Sequence, residues 1–238
     1  MADRYELRRG ATAPAAGAAV DAGLRSYMLG VYNYMASGVL LTGLVAMLTA
    51  SSPAMLNAIF GTPLQWVVML APLGFVLVMS FGINRLSPFA AQALFWAFAA
   101  TMGLSLASIF LVYTGSSIAR TFFITAAMFG ALSLYGYTTK RDLSGLGTFL
   151  FMGLIGLIIA MVVNMFLKST QLDWIVSIVG VGIFAGLTAY DTQKIREMYF
   201  AGDGEGTRSK KIVMGALSLY LDFINMFLFL LRFLGNRE

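Results

Sequence analysis

Two acidic residues stand where hydropathy would reject them. Asp222 lies inside the apolar run IVMGALSLYLDFINMFLFLL, eleven residues past Lys211, and Asp191 closes a second apolar run that ends GLTAYDTQKIRE. A carboxylate at the centre of a membrane helix costs about 2.5–3.5 kcal/mol on insertion scales, so Asp222 is expected to face protein or water rather than lipid. On a helix Ser218 (i−4) and Asn225 (i+3) share its face, making one polar stripe on an otherwise lipid-like surface. Such a stripe serves either an ion or proton path or a hydrogen-bond network between helices. Asp191 is read as the acid of a last helical turn, where the negative end of the helix dipole opposes it. Its ordinary readings are a salt bridge to Lys194 at i+3 and a helix that simply continues into the cytoplasm.

Taken together the two acids carry more. If the runs that hold them are antiparallel neighbours, Asp191 and Asp222 meet at one end of a bundle. Two carboxylates close together in a low dielectric cannot both stay ionised easily, so such a pair shares a proton. Protonated, it ties two helices together; deprotonated, it repels itself or attracts a cation, and carboxylate oxygens are the hard ligands that Ca²⁺ prefers. The chain has no histidine and no cysteine, so pH sensing falls to carboxylates, and thiol chemistry, disulfides and thiolate metal sites are excluded.

The elements that must position these residues are membrane spans. Of 238 residues 59% are hydrophobic and only 11% charged, against about 25% charged in a soluble domain, so lipid must solvate the helix exteriors. Spans of about 20 apolar residues are expected over 27–50, 64–83, 89–113, 117–137, 146–167, 173–193 and 212–234. The fold class is therefore all-α and polytopic, with a seven-helix transmembrane domain over 27–235. Residues 1–26 read as a flexible cytoplasmic tail: MADRYELRRG is charged, and the Ala/Gly stretch after it, broken by Pro14, Gly17 and Asp21, makes a poor signal peptide. Small residues at four-residue spacing mark packing faces: Gly38, Thr42, Ala46 and Ala50; Ala99, Gly103 and Ala107; Gly156 and Ala160; Gly182 and Gly186.

Orientation follows from lysine and arginine. Twelve fall in the tail and in the loops after the second, fourth and sixth spans, against four on the other side (Arg120, Lys168, Arg232 and Arg237). The N-terminus is thus expected in the cytoplasm and, with seven full spans, the C-terminus outside. A re-entrant last segment would return it. Arg85, two residues past Ile83, either anchors the second span at the interface by snorkelling or reaches inward to an aspartate. Asn164 and Asp173 mark the outer turn between the fifth and sixth spans. The charge of +5 suits anionic headgroups and says nothing of nucleic acid.

Enzyme chemistry finds no support. No nucleophile–base arrangement, phosphate-binding loop or metalloprotease signature is present, and GVGIFAG (180–186) falls within a span. The two aspartates lack the GxGD-type surroundings of an intramembrane protease. No catalytic residue and no cofactor are expected.

AYDTQKI (189–195) and ALSLYLDFINMFLFLLR (216–232) resemble the two C-terminal signatures of the Bax inhibitor-1 family, and TTKRDLSGLGTFL (138–150) is similar to the loop entering its fifth helix. The likeness covers residues 25–235 and fits a bacterial member, hence an inner membrane. It implies a last helix wrapped by the other six and a pH-sensitive Ca²⁺ leak gated by two hydrogen-bonded aspartates, here Asp191 and Asp222, which would also be the transient Ca²⁺ ligands. It implies a third contact from the arginine after the second helix, here Arg85. For some relatives it implies instead a regulatory role toward a membrane-bound protease or a stress and cell-death response, exerted through protein partners. A monomer is compatible with either.

Overall fold

The computed structural model describes residues 13–236, with side chains from residue 20 onward. Eight α-helices and no β-strand are found among the described residues: α1 Ala13–Ala50, α2 Pro53–Phe60, α3 Leu64–Gly82, α4 Pro88–Leu106, α5 Gly115–Thr138, α6 Ser144–Leu167, α7 Thr170–Glu197 and α8 Glu205–Leu234. A 3₁₀ turn, Ala107–Leu111, extends α4. All but α2 are long and apolar enough to span a membrane, so the seven expected spans are present.

The ends are set by local chemistry. Ser87 accepts from the Ala90 amide and Pro88 opens α4, while the Thr114 and Ser169 hydroxyls cap α5 and α7 in the same way. Lys168 ends α6 in the left-handed region at φ 50°, and the Asn164 side chain takes the Ser169 amide, which makes Asn164 a turn residue as expected. Two boundaries differ from the sequence reading. The expected tail lies outside the described residues over 1–12, but 13–26 is helical and continuous with the first span, because alanine is the best helix former and outweighs one glycine. The sixth helix runs to Glu197, so Asp191 sits well inside α7 and the last-turn dipole argument does not apply.

Burial grades the helices. In α8 67% of the apolar window is inside the protein, against 17% in α3 and in α6. α8 packs on α1, α4, α5 and α7; α3 leans outward on α4, and α6 on α7. Tyr27, Phe95, Phe98, Leu219, Tyr220 and Met226 are fully buried along these contacts. Thr42 ties three helices, bonding the Ala99 carbonyl at 2.8 Å and the Tyr220 hydroxyl at 2.7 Å.

Small-residue stripes hold on α1 and α4: a Cβ on Gly103 would meet the Thr42 carbonyl at 2.7 Å, and one on Gly38 the Phe95 ring at 2.8 Å. Gly186 likewise admits Leu150. Gly156 and Gly182 are not packing positions, since a Cβ on either meets open space. Small residues at four-residue spacing permit close approach, but only a neighbouring helix makes use of it.

Candidate acidic cavity between α6, α7 and α8

Three close approaches bring α6, α7 and α8 together. Gly180 lies under the Phe229 ring, which stacks on Phe184 at 5.9 Å, and Gly147 lies under the Tyr190 ring; a Cβ at either glycine would come within 2.8 Å of ring carbons. The third is a clamp on the loop between α5 and α6. Gln193, buried, accepts from the Leu143 amide and donates to the Arg141 carbonyl, both at 2.8 Å, while Arg196 bonds the Tyr137 carbonyl. With both ends of its side-chain amide satisfied, Gln193 fixes the loop without leaving a buried polar atom unpaired.

Between the three helices lies a cavity of about 760 Å³. Asp191, Asp222, Ser218 and Asn225 all line it, so the polar stripe of α8 and the acid of α7 face one space. Asp222 is only 5% exposed, and its Oδ2 has no hydrogen-bond partner among the described residues. The Asn225 amide donates to the Leu221 carbonyl of its own helix at 2.8 Å, which leaves its oxygen to the cavity. The two carboxyls are within electrostatic reach of each other. The space between α6 and α8 keeps α8 from closing on its acidic face.

Arg85 is not brought to this site. It is exposed at the end of α3, does not line the cavity and makes no ion pair among the described residues. The reason is topological: α3 packs chiefly on α2 and α4 rather than on α7 or the acidic face of α8. A cation that does line the cavity is Lys194, one turn past Asp191, its ammonium 5.7 Å over the Tyr190 ring and in no direct ion pair among the described residues. At the far end Arg232 also lines the cavity and pairs with Asp173 at 3.4 Å. The sequence offered Lys194 as a neighbour of Asp191 at i+3, but it did not place Arg232 here. The Tyr190–Lys194 spacing of four was a usable signal, whereas the Asp173–Arg232 pair, 59 positions apart, left none.

As a ligand set the cavity offers two carboxylates, the hydroxyls of Thr148, Tyr190 and Ser218, and an amide oxygen. Among the described residues no cluster of three or more acids forms. Ca²⁺ takes 6–8 oxygen ligands, so these groups suit a hydrated ion in passage rather than a resident one.

The fold and site define a class: a seven-span, all-helical membrane protein whose last two helices present two acids to one internal cavity. The chain matches, over residues 24–238, the family described as inhibitor of apoptosis-promoting Bax1, and it belongs to that Bax inhibitor-1 family. It is 52% identical to a protein of Rickettsia prowazekii over 92% of each chain. It is 51% identical to the inner membrane protein YbhL of Escherichia coli, over 91% of this chain and 94% of that one. A protein of Caulobacter vibrioides is 48% identical over 92% of each chain.

Proposed function

We propose that this protein is a passive cation leak, selective for Ca²⁺, that opens as the Asp191–Asp222 pair loses its proton. The observation that carries this reading is a buried, unpartnered carboxylate oxygen of Asp222 facing a cavity that Asp191 also lines. An acid in that position costs stability unless it has a task. Sharing a proton, the pair holds a single negative charge between its two carboxyls, and the cavity, mostly apolar, disfavours ion entry. Deprotonated, it becomes the most negative point of the bundle and draws a divalent cation. The reading needs no catalytic group and no resident cofactor, because Ca²⁺ is cargo.

In this reading the N-terminus and the acid-bearing end of the bundle face the cytoplasm, in line with the excess of lysine and arginine there. The membrane is a bacterial inner membrane, as named for the Escherichia coli relative. The test is Ca²⁺ flux into proteoliposomes across pH. Native flux should rise with pH, and Asp222→Asn and Asp191→Asn should flatten that rise. Unchanged flux and pH dependence in both variants would remove the gating role.

A second reading, favoured by the family's description as an inhibitor of a death-promoting protein, is regulation through protein partners, a membrane-bound protease among them. The segments available are the N-terminal tail and the charged stretch 194–211. Deleting residues 1–12 separates the two: loss of partner crosslinking with intact flux supports regulation, and the reverse supports the leak.

A further inference from the structure

A second large hollow lies on the other side of α8, away from the acids. α1 and α5 both lean on α8 rather than on each other, leaving between them a groove of about 790 Å³ with Phe223 of α8 in its floor. Its walls are residues 25–40 of α1 and 122–137 of α5. At 1.5 Å per residue each wall is about 22 Å long, more than the ~15 Å of one hydrocarbon leaflet. Small residues hollow it out: Ala36 on one wall and Gly130 on the other, where a Cβ would meet nothing.

The groove is polar at one end only. Consecutive spans alternate in direction, so the first and fourth are antiparallel, and Arg25 and Tyr137 share an end. Arg25 is exposed and has no acidic partner among the described residues. The hydroxyls of Tyr32 and Tyr137 also find no hydrogen-bond partner there. An apolar channel longer than a leaflet, opening on the bilayer and closed at one end by an unpaired guanidinium and a phenol, has the charge and shape of a phospholipid with an anionic head. Arginine is the side chain best suited to a phosphate, and basic positions between spans are where anionic lipids are held.

We propose that the α1–α5 groove is a binding site for one anionic phospholipid, its acyl chain between Ala36 and Gly130 and its phosphate on Arg25. The site is independent of the acidic cavity, and ion flux plays no part in its test. Native mass spectrometry of the detergent-purified full chain, titrated with phosphatidylglycerol, phosphatidylcholine or inorganic phosphate, reads it directly. Phosphatidylglycerol should bind about fivefold better than phosphatidylcholine, the weight of one cation near a headgroup. Arg25→Gln should abolish that preference and leave phosphatidylcholine binding unchanged. Lys210→Gln removes a charge beside Asn84, away from the groove, and should leave the preference intact. Gly130→Leu, and separately Ala36→Leu, should weaken both lipids by filling the channel. Equal binding of the two lipids by the native protein would overturn the proposal, as would a preference that survives Arg25→Gln or lipid binding untouched by both leucines. Full competition by inorganic phosphate would replace the lipid with a free anion. A dimer broken by Gly130→Leu without change in lipid binding would assign the groove to a second copy of the chain.

Discussion

Asp222 and Asp191 face one cavity from unequal surroundings. Asp222 is buried with an oxygen unpaired, whereas Asp191 is half-buried with Lys194 one turn away. Leaving a buried polar atom unsatisfied costs about 1–3 kcal/mol, so Asp222→Leu should fold and melt at a higher temperature while losing Ca²⁺ flux. A lower melting temperature would instead make Asp222 a structural residue. Lys194 acts as a tethered cation at the mouth of the same cavity. Its ammonium favours the ionised, open form of the pair, so Lys194→Gln should lower flux at neutral pH, by up to about fivefold, because an exposed charge is worth about 1 kcal/mol or less. Arg85→Gln, remote from the cavity, should leave the pH profile of flux where it is. Both variants are read in the proteoliposome assay.

Among elements, α6 is positioned by its start, by Gly147 within it under the Tyr190 ring, and by Gly186 of α7 against Leu150. The Ser144 hydroxyl and amide hold Asp142 below the usual carboxylate range. A lowered value means that the contribution is present above about pH 4 and is lost as pH falls through the lowered value. Asp142→Asn should therefore lower the melting temperature slightly at pH 7, where the contribution is present, and leave it unchanged well below pH 4, where the native carboxyl is protonated as well. The glycines divide by what lies opposite them. At Gly136 an added Cβ would come within 2.2 Å of the Ala189 carbonyl, a backbone atom that cannot rotate away, whereas at Gly182 it meets open space. Gly136→Ala should force α5 from α7 and cost about 1–3 kcal/mol. Gly182→Ala should be neutral or stabilise by up to about 1 kcal/mol through helix propensity. Thermal unfolding in detergent measures both.

For the whole molecule, seven full spans would put the N-terminal and C-terminal sides of the bundle on opposite faces of the bilayer. A chain without cysteine makes this directly measurable. Single cysteines at Arg141 and Lys168, in loops at opposite ends of α6, should react with a membrane-impermeant maleimide from opposite sides, Arg141→Cys from the cytoplasm. Labelling of both from one side would remove the seven-span topology. The molecule also has two large hollows on different sides of its most buried helix, one acidic and one apolar with a cationic end.

The sequence by itself determined the spans, their approximate ends and the importance of the last two. Twenty-residue apolar runs bounded by charge have no other stable form in lipid, since every backbone polar group must be satisfied within its own segment. It also determined that Ser218, Asp222 and Asn225 share a face, because helical periodicity is a local property. The tertiary structure decided which faces meet. It set Asp191 and Asp222 on one cavity, kept Arg85 away from them, and brought Asp173 and Arg232 together at the far end. Local periodicity fixes the direction of a side chain on its own helix. Only the packing of helices, set by where a missing Cβ allows close approach, decides what that side chain faces. α3 leans outward and carries Arg85 with it, while the glycines at 147 and 180 draw α6, α7 and α8 around the acids.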